Sequence, residues 1–154
     1  MTDAMTPDIA ELIAAAREAM RHAHAPYSKF AVGAALRMAD KSIITGANFE
    51  NASYGLSLCA ETVAIATASG QGKLADITSI AVVGGPIGGV GDAIVTPCGR
   101  CRQIITEAAQ MGDRDIIVHC AGATGDAWVS HSIADLLPHA FGPANLGISP
   151  RPKD

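Results

Sequence analysis

Cys59-Ala60-Glu61 and Pro97-Cys98-Gly99-Arg100-Cys101 constrain this chain more than any other stretch of it. Three thiols at that spacing can close around one zinc ion, with a carboxylate two residues from the first thiol. Any fold that does so must bring two segments far apart in sequence to one point. Both segments open predicted helices, so the meeting is one of helix N-termini. Cys59 falls at the start of the second helix, and Cys98 and Cys101 fall in the first turn of the third. Residues i and i+3 share a helix face, which lets Cys98 and Cys101 converge on one ion. The positive ends of both helices then point at the thiolates and lower their pKa values.

The remaining elements follow from local signals. Thr6-Pro7-Asp8 opens the first helix as N-cap, first helical proline and first-turn acid. Ile9, Leu12, Ile13, Ala16 and Met20 continue it along one face, and the helix is expected to end between His22 and Ala25, ahead of Pro26. Phe30 to Met38 and Ser42 to Phe49 read as a hairpin of two strands. The second helix is expected over Leu58 to Ser69, stopping at Gly70, and Ile77 to Val83 reads as a buried strand. Gly84 to Gly91, with five glycines in eight residues, reads as a flexible loop, since it lacks the GxGxxG and Gly-Lys-Ser/Thr patterns of phosphate loops. The third helix runs from Pro97-Cys98 to about Met111, followed by strands at Asp115 to Cys120 and Trp128 to Ser130 and a short helix at Ser132 to Leu137. This order predicts a single-domain α/β protein of residues 1–154, a three-layer α/β/α sandwich on a mixed five-stranded sheet. Residues 143–154, rich in Pro and Gly, are expected to form a loosely held tail.

Composition removes several classes of function. The net charge is −4, no Lys/Arg cluster occurs, and aromatics make up 4% of the chain. Nucleic-acid binding needs a basic stripe or stacking platforms, so a polynucleotide partner is not expected. No stretch reaches the about 18 consecutive apolar residues of a membrane span. Met1-Thr2-Asp3-Ala4 lacks the cationic region of a signal peptide, so a cytoplasmic setting without membrane attachment is expected. In that setting the cysteines read as metal ligands rather than disulfides. Cys120, alone in a predicted strand, reads as a small core residue.

Three ligands leave a fourth position open for water, which separates a catalytic zinc from a closed structural one. Glu61 sits near that position, where one mobile carboxylate can take a proton from a metal-bound water and pass it on. Zinc with three thiolates carries a net negative charge, so something must withdraw charge from the sulfurs. The helix dipoles supply part of it. Arg100, between two ligands, is the candidate for N–H···S hydrogen bonds.

Pro26-Tyr27-Ser28-Lys29-Phe30-Ala31-Val32-Gly33-Ala34-Ala35, Gly46-Ala47-Asn48-Phe49-Glu50-Asn51-Ala52-Ser53-Tyr54, the cysteine motifs ending in Cys101-Arg102-Gln103, and Leu136-Leu137-Pro138-His139-Ala140-Phe141-Gly142-Pro143 together resemble the small homotetrameric zinc-dependent cytidine deaminases. The cysteine motifs also match a three-cysteine form of the zinc nucleobase-deaminase signature. The resemblance implies that Cys59, Cys98 and Cys101 hold one zinc ion per subunit and that Glu61 is the catalytic proton carrier. It further implies that Phe30 packs on the pyrimidine, that Asn48 and Glu50 hold the ribose hydroxyls, and that the backbones of Ala60 and Ala52 contact the base. Tyr54 and Phe141 are implied to serve a neighbouring subunit's pocket. Without the resemblance, Phe30 reads as core and Asn48-Phe49-Glu50 as a polar turn. One departure stands out. Many members of that family place Arg directly after the catalytic Glu, where it bonds the zinc thiolates, and this chain has Thr62 there.

The reaction expected is hydrolytic deamination of cytidine and 2'-deoxycytidine, releasing ammonia, in pyrimidine salvage. An arginine within the Cys-x-x-Cys loop also resembles the blasticidin S deaminases, which makes another aminopyrimidine nucleoside the alternative substrate. A zinc-stabilised binding module would leave Glu61 and the missing fourth ligand unexplained. A thiol oxidoreductase using Cys98 and Cys101 would leave Cys59 and Glu61 unexplained.

Overall fold

A computed structural model describes residues 4–151. The expectation about the chain's first residues rests largely on Met1 to Asp3, and that about the tail includes 152–154; both stretches lie outside the described residues. The long elements are α1 (Pro7–Met20), β1 (Phe30–Met38), β2 (Ile43–Ala47), α2 (Ala60–Gly70), β3 (Ile77–Pro86), α3 (Gly99–Met111), β4 (Ile117–Gly122), β5 (Trp128–Ser132) and α4 (Ile133–Leu136). The five strands form one sheet in the order β2-β1-β3-β4-β5. Only β3 and β4 are parallel; the other pairs are antiparallel, which makes the sheet mixed.

Side chains alternate across the sheet as the period of two requires. On one face Ala35, Ala81, Val83 and Ala121 pack against Leu12, Ile13 and Ala16 of α1. On the other, Leu36, Ile80, Val82 and Val118 meet Ala64, Ile65 and Ala68 of α2 and Ile105 and Ala108 of α3. Helices on both faces give the three layers expected. The many alanines matter here, because small side chains let helices sit close to the strands. Gly46 of β2 shows this beside the cysteine-bearing helix. A Cβ there would lie 2.6 Å from both the Ala60 carbonyl oxygen and the Ala64 amide, so glycine alone lets α2 lie directly on the strand.

Several boundaries move from their sequence expectations, each for a physical reason. α1 ends at Met20, earlier than His22, because the chain turns and His24 bonds across to Asn48 and Glu50. The second strand shortens to Ile43–Ala47, its length set by pairing with Gly33 to Arg37. The expected loop at Gly84 is strand as far as Pro86, because Gly84, Gly85 and Pro86 pair with Val32, Ala31 and Phe30. Cross-strand pairing overrides the local preference of glycine there. At the other end, Pro143–Leu146 forms a 3₁₀ turn; the Ala144 amide bonds Gln110 and the Arg151 amide bonds the Met111 carbonyl. Among the described residues no helix is long and apolar enough to cross a membrane.

Candidate metal centre and adjoining cavity

α2 and α3 begin with the same device. Cys59 and Cys98 each stand at the N-cap in extended backbone, at φ −71°, ψ 155° and φ −66°, ψ 167°. They occupy the position that Ser or Asp ordinarily fills, with the sulfur beside the unpaired amides and positive pole of the first turn. Neither closes a full cap hydrogen bond. Cys98 thus precedes the helix rather than lying in it, because its extended backbone turns the chain into α3. Cys101 follows on the same side, buried in the first turn. The three sulfurs lie within 4.8 Å of one another, with Cys59 and Cys98 3.9 Å apart.

The electrostatics of this cluster test whether a metal fits. Burial pushes the Cys59 thiol up, a hydrogen bond with Cys101 partly opposes this, and the charges of Cys98 and Glu61 add to the rise. Burial pushes the Cys101 thiol up strongly, and Glu61 and Cys59 push it further. At Cys98 burial acts in the same direction, but the Cys101 amide and the two neighbouring thiols outweigh it and the thiol is lowered. Sulfurs this close resist ionising together, and a dication among them removes the conflict. An all-thiolate set suits zinc. The cluster fits the zinc that the motif implied.

Glu61 lies in the first turn of α2 and is only 3% exposed. Burial raises its carboxyl above the ordinary value, while its own amide and Cys101 pull the other way. A carboxyl so buried holds its proton to higher pH than an exposed one does. It opens onto a cavity of about 250 Å³, which Cys59, Cys98, Ala60, Asn48 and Glu50 also line. Val32, Leu58 and Val95 form its apolar walls, with Thr96 and Ser57 at the polar side. The volume suits a small molecule with one apolar face and a few polar edges.

The two polar residues of the cavity are fixed before any ligand arrives. The Asn48 side chain accepts from the Val32 amide and donates to the Phe30 carbonyl, both at 2.9 Å, and is thereby pinned to β1. Glu50 accepts the Tyr27 and Ser28 amides through Oε2 at 2.9 and 3.2 Å. Phe30, Ala52, Tyr54 and Phe141 do not line this cavity. All four are exposed, Tyr54 to 75% and Phe141 to 62%. Arg100 is exposed as well, and its guanidinium donates to the Ser57 carbonyl at 3.5 Å, not to a sulfur.

Three residues near the centre make contacts that the sequence reading did not assign to them. Thr62 places its hydroxyl 3.8 Å from the Cys101 sulfur. Arg102 donates to the carbonyls of Pro97 and Leu136, at 2.9 and 3.0 Å, and ties the ligand-bearing turn to α4. Thr96 forms part of the cavity wall just before Pro97. For Thr62 the sequence held a signal, its place immediately after Glu61. For the other two the contacts depend on how α3 packs. Cys120 keeps its expected core position, its thiol pushed up to about 12 by burial and by Glu61.

Comparisons with known proteins agree with this geometry. Residues 7–120 match the family described as the cytidine and deoxycytidylate deaminase zinc-binding region. A cytidine deaminase of Halalkalibacterium halodurans is 43% identical over 130 residues, covering 84% of this chain and 91% of that protein. One from Mycobacterium tuberculosis is 39% identical over 129 residues, covering 82% and 84%. Among solved structures, a cytidine deaminase from Burkholderia pseudomallei superposes with a TM-score of 0.75 at 42% identity, over 89% of this chain and all of that one. With the matched region holding all three thiols and Glu61, the chain belongs to the cytidine and deoxycytidylate deaminase family.

Proposed function

We propose that this protein hydrolyses cytidine and 2'-deoxycytidine to uridine and 2'-deoxyuridine, with Glu61 as the catalytic proton carrier. The observation that carries this reading is a cavity, lined by two thiols of a three-thiol cluster and a buried carboxyl, that also holds two polar side chains pinned by hydrogen bonds. Zinc held by Cys59, Cys98 and Cys101 supplies a Lewis acid that makes water nucleophilic at neutral pH. Glu61 takes a proton from the attacking water and delivers it to the ring nitrogen N3. The water oxygen bonds C4, and Glu61 carries the remaining proton of that new hydroxyl to the amine, so that the oxygen becomes the C4 carbonyl as the amine departs. The C4–N4 bond then breaks, and ammonia leaves with both electrons of that bond. Asn48 and Glu50 orient the sugar through hydroxyl hydrogen bonds, and the Ala60 backbone holds the base edge.

The residue roles extend to the outer rim. Phe30 packs against the pyrimidine, Ala52 contacts the base through its backbone, and Arg100 draws charge from the thiolate loop through its position beside it. Tyr54 and Phe141, exposed and outside their own cavity, serve the cavity of a neighbouring subunit in a homotetramer. The protein acts as one domain, in the cytoplasm, in pyrimidine salvage.

The decisive test is ammonia release by zinc-loaded protein from cytidine, deoxycytidine and free cytosine, with a blasticidin S-type nucleoside alongside. Turnover of both nucleosides but not cytosine is expected. Glu61→Gln should retain zinc and lose on the order of 10²-fold or more in kcat. Turnover of the antibiotic alone would replace the substrate assignment. A fully active Glu61→Gln protein would remove the proton-carrier role.

A further inference from the structure

We infer that Thr62 is a positioning residue for the metal centre, its hydroxyl donating a hydrogen bond to the Cys101 thiolate and withdrawing charge from that ligand. The inference rests on the reading that the three thiols hold a metal. It concerns the position after Glu61, where the resemblance implied an arginine and this chain has a threonine.

The geometry distinguishes Thr62 from the other helical threonines. Thr67 of α2 and Thr106 of α3 both donate to the carbonyl four residues back, on Val63 and Arg102, at 2.8 Å. This is the usual fate of a hydroxyl inside a helix. Thr62 stands too near the start of α2 to do the same. Four residues back is Leu58, which lies outside the helix and whose carbonyl accepts the Phe49 amide in a small bridge between segments. The hydroxyl turns instead toward α3, to the Cys101 sulfur at 3.8 Å.

The three sulfurs also differ in what surrounds them. Cys59 and Cys98 sit at the N-caps of α2 and α3, before the first helical residue. Cys101 lies inside the first turn of α3, buried, with its side chain directed at α2. The nearest arginines are engaged elsewhere, Arg100 with the Ser57 carbonyl and Arg102 with Pro97 and Leu136. A neutral hydroxyl thus occupies the place beside Cys101, and a hydrogen bond to a charged sulfur is stronger than one between neutral groups. It lowers the electron donation of that ligand and fixes the direction of its sulfur, as outer groups of metal sites do.

The test uses protein loaded with Co(II), whose sulfur-to-metal charge-transfer absorption reports electron donation by the thiolates. Thr62→Val removes the hydroxyl while keeping the shape. The expected result is a charge-transfer band at longer wavelength with metal stoichiometry and tetrahedral ligand-field bands retained. Thr62→Ser should hold the band at its parental position, which a merely space-filling role would not do. Should Thr62→Val not fold, Thr62→Ala removes the same group and carries the same expectation. A hydroxyl-free variant with an unshifted band, or a serine variant shifted as far as the valine one, would overturn the inference. A parent protein that binds Co(II) with no charge-transfer band would instead refute the thiolate centre, and this role with it.

Discussion

Glu50 shows how a surface carboxylate can be made dependable. It is held by the Ser28 hydroxyl beside it and by the Tyr27 and Ser28 amides, with His24 contributing a weaker attraction, and these outweigh the raising effect of burial. Its carboxyl therefore stays ionised below its ordinary 4.5. The ionised form stabilises the Tyr27–Ser28 turn fully above that ordinary value, and the contribution fades as pH falls through the lower folded value. If Glu50 grips the sugar, KM for cytidine should stay flat from neutral pH down to about pH 5. Glu50→Gln should raise KM about tenfold, through loss of a hydrogen bond to a charged group, with a smaller effect on kcat. Steady-state kinetics across that pH range check both. A parental KM that climbs well above pH 5 would move the sugar contact to a group with a higher pKa, such as a histidine.

At the scale of elements, the site depends on how closely α2 lies on β2. At Gly46 the atoms that would meet a Cβ are backbone, the Ala60 carbonyl and Ala64 amide, so no rotamer change relieves the clash. Gly46→Ala must displace the first turn of α2, which carries Glu61 and follows Cys59. We expect a loss of about 1–3 kcal/mol in stability, typical of overpacking, together with weaker zinc retention against a chelator. Thermal unfolding and metal content after dialysis measure the two. An alanine variant with parental melting and full zinc would show that α2 can shift without disturbing the centre. The elements most legible in the sequence were those coded by short-range signals. Thr6 does cap α1, accepting the Ile9 amide at 3.3 Å, and β1 runs over Phe30–Met38 as its residues predicted. The extension of β3 through Gly84 and Gly85 was not legible, since it depends on β1 lying alongside. The same division holds in the site. The sulfurs' convergence could be read from spacing and helix starts, whereas the contacts of Thr62 and Arg102 required knowing which faces of α2 and α3 meet.

For the whole molecule, the unsolved part of the surface is its exposed apolar side chains. Tyr27, Phe49, Tyr54, Leu56 and Phe141 all stand open to solvent, and the Tyr27 and Tyr54 rings touch edge-on at 5.7 Å. Exposed side chains of this kind are what the proposed subunit contact would cover. Phe141 is also held in place from below, because Gln103, two residues past a metal ligand, donates to its carbonyl at 2.7 Å. Its backbone is thus tied to α3 while its side chain stands exposed, outside the cavity that Glu61 lines. A shared site makes a prediction that a merely buried interface does not. Glu61→Gln subunits lack proton transfer but still lend Phe141, while Phe141→Ala subunits keep Glu61 but lend nothing. Each homomer should be impaired. Refolded together in equal amounts, half of the cavities keep Glu61 and half of those face an intact Phe141, so activity should recover to about a quarter of the parental level. Light scattering would report the mass of the mixed assembly in the same sample. Recovery absent from a properly mixed oligomer would assign Phe141 to subunit contact alone and leave each cavity complete within one chain.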